Sequence, residues 1–142
     1  MFRQLTPSLF ASPQISLEDV AAAAAQGIKL IINNRPEGES DDQVPGSEIE
    51  AAARKAGLDY VAIPVTHAGF SEPQVSEMAE ALASAKGTAL AYCRSGTRST
   101  LLWALAESSK GADPAALSAQ ATVAGYDLTP IAPLMDMLKQ KA

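Results

Sequence analysis

The chain has 142 residues, 47% hydrophobic and 19% charged, with a formal net charge of −5. That is one domain's worth of globular chain, too apolar for a disordered tail and too short for two independent cores. With 11 Lys+Arg against 16 Asp+Glu it lacks the basic footprint that a phosphate backbone requires, so nucleic acid is not an expected partner.

Alanine fills 28 positions, and its helix propensity places many of them on helices. Ser16, or Pro13 before it, starts the first helix. Ser16-Leu17-Glu18-Asp19 sets a capping hydroxyl before acidic first-turn residues that suit the helix dipole. Alanines follow to Gln26, and Gly27 stops the helix. Ile28 to Asn33 is a short apolar run, predicted as a buried parallel strand. Asn34 to Pro45, rich in Pro, Gly, Asp and Glu, reads as a loop. Ser47 to Ala56 is a second helix with a stripe of Ile49, Ala52, Ala53 and Ala56, closed by Gly57. Tyr60 to Val65 is the next strand, and Thr66 to Phe70 a loop. Ser71-Glu72-Pro73 opens a helix whose face is Val75, Met78, Ala79, Leu82 and Ala85. Thr88 to Tyr92 is a third strand. Helices follow from about Arg98 to Ser109, Pro114 to Ala124 and Pro130 to Lys141, and a further strand fits before Ser12. Strands alternating with helices predict a single α/β domain over residues 1–142, with a mainly parallel sheet covered on both faces. Ligands of such sheets sit at the carboxyl ends of the strands. Three polar loops gather there: Asn33 to Glu39, Thr66 to Phe70, and Cys93 to Ser99.

The single cysteine excludes an intramolecular disulfide and a multi-cysteine metal site, and the single histidine excludes a His–His metal pair. Met1 to Ser12 has no long apolar run, so a secretory signal is not expected. Val20 to Ile32, broken by Gln26 and Lys29, is too short to span a bilayer. A soluble, cytoplasmic protein is expected.

Cys93-Arg94-Ser95-Gly96-Thr97-Arg98-Ser99 carries the chemistry. It joins an apolar strand to a helix start, where backbone N–H groups and the helix dipole cradle an anion. The same field, with Arg94 and Arg98 turned inward, favours a thiolate at Cys93, and a thiolate is a nucleophile. Gly96 permits a positive φ or a close ligand approach. Arg98 offers a planar fork for an oxyanion, and Ser99 a hydroxyl for the sulfur. The plain alternative is a small buried hydrophobe, which two arginines, a glycine and three hydroxyls around Cys93 disfavour.

This loop resembles the active loops of cysteine-dependent phosphatases and of rhodanese-type sulfurtransferases. More narrowly, the chain is similar to the phosphatase-like domain of beta-lactamase-hydrolase-like proteins, a family related to dual-specificity phosphatases. Phe2 to Leu5, Ile31 to Glu39 with its Asn-Arg-Pro segment, Tyr60 to Val65, and Tyr92 to Ser99 with Leu101-Leu102-Trp103 carry the resemblance, which spans nearly the whole chain. It implies a dual-specificity-phosphatase-like fold. Three features depart from that pattern. Four residues rather than five separate Cys93 from Arg98, a shorter loop nearer to that of rhodaneses. Tyr92 replaces the histidine that usually precedes the cysteine. From Tyr60 through Ala112 there is no aspartate to serve as general acid. In the matching loop His67 suits proton transfer. Glu72 is a second candidate with a helix-dipole explanation of its own, and His67 is otherwise a solvated loop residue.

Asn33, Asn34 and Arg35 follow a strand and are candidates to line the cleft, with Arg35 holding a second anionic group of the substrate. The alternative is loop chemistry, with Arg35 paired to Glu37 or Glu39. The acidic run Glu37 to Asp42 lacks calcium-loop spacing and reads as a solvated loop. Trp103 and the helical alanines read as core.

Three functions are weighed. A phosphatase would use Cys93 to attack phosphorus, with the amides of Arg94, Ser95, Gly96 and Thr97 and the Arg98 fork on the equatorial oxygens. A sulfurtransferase would carry a Cys93 persulfide and need no separate acid. A non-catalytic module would keep the anion cradle alone. The substrate expected is a small molecule or phosphoprotein, and neither enzymatic reading calls for a metal or cofactor. Oligomeric state is left open.

Overall fold

A computed structural model describes residues 2–142. The strands are β1 (Arg3–Thr6), β2 (Leu9–Ser12), β3 (Ile28–Asn33), β4 (Asp59–Ala62) and β5 (Thr88–Tyr92). The helices are α1 (Leu17–Ala25), α2 (Gly46–Lys55), α3 (Glu72–Ser84), α4 (Thr97–Ser109), α5 (Pro114–Ala124) and α6 (Ala132–Lys141). The strands form one sheet in the order β1-β2-β5-β3-β4. Only β1 is antiparallel, and β2, β5, β3 and β4 run parallel. The fold is therefore the expected α/β arrangement with a mostly parallel sheet.

Alternation along the strands assigns the two faces. Ala89 and Ala91 of β5 join Leu30, Ile32, Leu9 and Ala11 in a core covered by α3 to α6. Leu90, Tyr92 and Ile31 face the other way, against Val20 and Ala23 of α1 and Ile49 and Ala53 of α2. Helix α4 is the exception to amphipathic patterning. Every residue from Ser99 to Ala106 is buried, because sheet, α3, α5 and α6 surround it. A helix enclosed on all sides has no polar stripe to display. Its axis is thereby fixed, and with it the position of its N-terminus beside β5.

The helix starts follow the sequence signals. Ser16 and Asp19 complete a capping box on α1, and Ser71 and Gln74 one on α3. Helix α2 has no side-chain cap. The Gly46 N–H donates instead to Glu37 Oε1 at 2.9 Å, a carboxylate at the positive helix end. Two elements differ from expectation. The strand expected over Tyr60 to Val65 is a ladder over Asp59–Ala62, continued by two single backbone bonds, from the Ile63 N–H to the Asn33 carbonyl at 2.9 Å and from the Val65 N–H to the Asn34 carbonyl at 3.0 Å. The last helix, expected from Pro130, is split into a 3-10 turn at Thr129–Ile131 and α6. The strand before Ser12 is a hairpin of two, β1 and β2. No helix among the described residues is long and apolar enough to cross a membrane.

Leu102 is fully buried on α4, whereas Val123 on α5 is 87% exposed. Leu102→Ala is expected to lower unfolding free energy by about 3 kcal/mol, and Val123→Ala by under about 0.5 kcal/mol. Urea denaturation of the two variants measures the contrast.

Candidate active site

The site begins where β5 ends. The Cys93 N–H donates to the Ser12 carbonyl at 3.4 Å, carrying the β2–β5 pairing one residue further. Cys93 is a free, fully buried cysteine. The chain then folds back over the sulfur, so that the Gly96 N–H donates to Cys93 Sγ at 3.1 Å. Gly96 has φ 91° and is the N-cap of α4. A Cβ there would stand 3.0 Å from Tyr126 Cζ and 3.2 Å from the Ser12 carbonyl carbon. Glycine is required both by the sign of φ and by space. The sulfur thus lies at the N-terminal end of a buried helix, where free amides and the dipole present positive potential.

Arg98, in the first turn of α4, is held from outside the loop. Its Nη1 donates to Glu39 Oε2 and to the Val65 carbonyl, both at 2.7 Å, and its Nη2 to Glu39 Oε1 at 2.9 Å. A guanidinium has five N–H donors, two on each Nη and one on Nε. Three are used here, which leaves Nε–H and one Nη2–H, adjacent donors along one edge. That edge suits bidentate contact with an oxyanion. The Arg98 pKa is raised, first by the hydrogen bond to Glu39 and also by the nearby Cys93 side chain.

Glu39 joins two arginines. Arg35 Nε donates to Oε1 at 2.9 Å, so the carboxylate bridges Arg35 and Arg98. The Arg98 hydrogen bond leads the causes that pull its pKa from 4.5 to about 2, with Arg35 adding to the shift and desolvation opposing it. Its side chain is only 16% exposed.

The predicted site residues divide accordingly. Cys93, Gly96 and Arg98 come together. Ser95 and Thr97 are exposed at the rim, where Ser95 Oγ donates to Thr97 Oγ1 at 2.9 Å and accepts from the Thr97 N–H at 3.3 Å. Arg94 is also exposed, not turned inward. The hydroxyl of Ser99 is buried without any hydrogen bond, so the expected contact with sulfur is not made. The Gly96 amide is the sulfur's donor instead. Asn34 does not line a cleft: it is fully buried, and its Nδ2 donates to the Ile63 carbonyl at 2.9 Å. Arg35 is likewise buried, with Nη1 on Gln14 Oε1 at 2.9 Å and Nη2 on Ser40 Oγ at 3.1 Å. All three of its nitrogens are engaged within the protein, so Arg35 holds Glu39 rather than a second anionic group. His67 is exposed in the loop after Val65, whose carbonyl holds Arg98. Glu72 is exposed in the first turn of α3.

Glu39 departs from the solvated acidic loop expected for Glu37 to Asp42. Its spacing of four from Arg35 flags the local pair, but nothing in the spacing flags the partner 59 residues away. Tyr126 was not legible as a site residue at all. Its hydroxyl donates to the Ser95 carbonyl at 3.1 Å from a turn 31 residues on.

Because the folded Glu39 carboxyl titrates near 2 rather than 4.5, its contribution to stability is complete above about pH 4.5. That contribution is lost as pH falls toward 2. Glu39→Gln is expected to lower stability at neutral pH by about 3 kcal/mol and to flatten the acid limb. Urea midpoints across that pH range give the result; parallel acid limbs in the two proteins would contradict it.

The residues 1–110 match the family described as "Beta-lactamase hydrolase-like protein, phosphatase-like domain". A beta-lactamase hydrolase-like protein from Xylella fastidiosa is 40% identical over 97 residues, 68% of this chain and 22% of that protein. The chain thus spans about a fifth of the length of the curated relative. Among solved structures, a candidate phosphatase from Neisseria meningitidis is 30% identical and superposes with a TM-score of 0.82, covering 99% of this chain and 97% of that one. P. aeruginosa TpbA, solved with pTyr, is 19% identical with a TM-score of 0.63, covering 98% of this chain and 88% of that one, a likeness of fold alone. With the family match over residues 1–110, most of the chain, the chain belongs to the phosphatase-like domain family of beta-lactamase hydrolase-like proteins.

Proposed function

We propose that the chain is a cysteine-dependent phosphoric ester hydrolase, with residues 1–142 forming one catalytic domain. The observation that carries this reading is the sulfur of Cys93 beneath the Gly96 N–H at 3.1 Å, with the Arg98 guanidinium near enough to interact with it. In the reaction, the Cys93 thiolate attacks phosphorus and the ester oxygen leaves with a proton. The amides of the 93–97 loop and the Nε/Nη2 edge of Arg98 bind the equatorial oxygens, where charge spreads in the transition state. Water then attacks the thiophosphate, releasing inorganic phosphate and the thiolate. The substrate is a phosphate monoester on a small molecule or a phosphoprotein, and TpbA, of the same fold, was solved with pTyr. A cytoplasmic setting suits a lone thiol that must stay reduced.

His67 is the group assigned to protonate the leaving oxygen. It is exposed and follows the Val65 carbonyl by two residues, so it stands on a loop tied to Arg98. His67→Ala is expected to cut kcat on an alkyl phosphate about tenfold or more while changing an activated aryl phosphate little. An equal loss on both would reject the role.

One observation favours a sulfurtransferase as the second reading. Four residues lie between Cys93 and Arg98, which makes a cradle short for a phosphoryl group and ample for one sulfur atom. The Cys93 thiolate would take the sulfane sulfur of a donor such as thiosulfate, releasing sulfite, and the outer sulfur of the resulting persulfide would accept the same amide. An acceptor thiol would then take that sulfur, breaking the S–S bond and freeing the Cys93 thiolate, with no acid needed. Paired assays on one reduced sample separate the two, one following aryl alcohol release from an aryl phosphate, the other thiocyanate formation from thiosulfate and cyanide. The proposal expects Cys93-dependent aryl phosphate turnover, abolished in Cys93→Ser. Thiocyanate alone would establish the second reading. Silence in both would leave an anion-binding module.

A further inference from the structure

The structure assigns Tyr126 as the positioning residue of the cysteine loop, acting through the Ser95–Gly96 peptide on Cys93. The inference rests on Cys93 being the reactive group, whichever transfer it performs. Tyr126 lies beyond residues 1–110, where the family match ends.

The planarity of one peptide links the phenol to the sulfur. In a trans peptide the C=O and the following N–H point in opposite directions. The Ser95 carbonyl accepts from the Tyr126 hydroxyl at 3.1 Å, and the Gly96 N–H donates to Cys93 Sγ at 3.1 Å. The two bonds belong to one rigid plane, so holding the carbonyl on the phenol holds the amide hydrogen on the sulfur. Without that anchor, a glycine loop can rotate the peptide and turn a carbonyl toward the sulfur. An N–H stabilises a thiolate, and a carbonyl does the reverse.

The phenol is itself held. Arg3 of β1 stacks on the Tyr126 ring, 5.3 Å from its centroid, and its Nη1 donates to the Ala124 carbonyl at 3.3 Å. Gly125, with φ 93°, caps α5 and turns the chain into the site. A Cβ on Gly125 would stand 2.7 Å from Arg3 Nη1, so a side chain there would push the guanidinium from its place. Burial raises the Tyr126 pKa, so the phenol keeps its proton and remains a donor across the working range. Arg98 from α4 and the uncharged Tyr126 phenol from the α5–α6 connection are the titratable neighbours that interact with Cys93, and Glu39 acts on it through Arg98.

Tyr126→Phe keeps the ring, its packing and the Arg3 contact and removes only the donor. The test follows the rate of Cys93 alkylation by iodoacetamide against pH, together with deuterium exchange at the Gly96 amide and thermal melting. The expected result is a melting curve close to wild type, an alkylation profile displaced about one unit to higher pH, and faster exchange at Gly96. Arg3→Met, which spares the phenol, is expected to displace the profile in the same direction by less. An alkylation profile and Gly96 exchange unchanged in Tyr126→Phe would overturn the assignment. Neither readout involves turnover, so failure of the hydrolase reading would appear in the paired assays and not here.

Discussion

One hydrogen bond organises the site: the Gly96 amide on the Cys93 sulfur, at 3.1 Å. The proposed reaction needs the sulfur as an anion, and a buried anion is costly unless donors meet it. Here the donor is backbone, so its position follows from the fold rather than from a side-chain rotamer. The bond needs a loop that doubles back within three residues, a residue with φ 91° to make the turn, and a helix start fixed against the sheet. Burial of α4 on every side supplies the last of these, because an enclosed helix cannot shift its N-terminus without disturbing β2, β5, α3, α5 and α6.

Around that bond the protein uses two tethers from distant parts of the chain. Glu39 reaches in from the β3–α2 connection and grips the Nη1/Nη2 edge of the Arg98 guanidinium. This orients the remaining edge and satisfies a half-buried cation before any substrate arrives. Arg35, buried and bonded through each of its three nitrogens, keeps Glu39 in place. On the other side Tyr126 holds the carbonyl of the peptide whose amide faces sulfur. In the proposed reaction, groups prearranged in this way would not spend substrate binding energy on ordering themselves.

Much of this was legible in the sequence because it is local. Cap signals at Ser16 and Ser71, strand runs at Ile28 to Asn33 and Thr88 to Tyr92, and the loop from Cys93 to Arg98 all depend on neighbours within a few residues. The parallel sheet followed from the alternation of strands and helices. What escaped was long-range. Asn34 and Arg35 stand at the carboxyl end of β3, the right address for substrate contact, but burial turns both into scaffold. Glu39 sits in an acidic run whose composition signals solvent, and only the fold brings it to Arg98. Ser99 has the right spacing for sulfur, yet its hydroxyl points where no partner waits. Tyr126 follows a helix-ending glycine, and no local pattern distinguishes it from an ordinary core aromatic.

The account stands on Cys93 forming a covalent bond to the transferred group, and acid quenching during turnover of an aryl phosphate tests that most directly. Mass spectrometry of the peptide containing Cys93 is predicted to find one phosphoryl group on its sulfur in the quenched sample and none in Cys93→Ser. Turnover with that peptide unmodified at every quench time, or turnover that persists in Cys93→Ser, would contradict it.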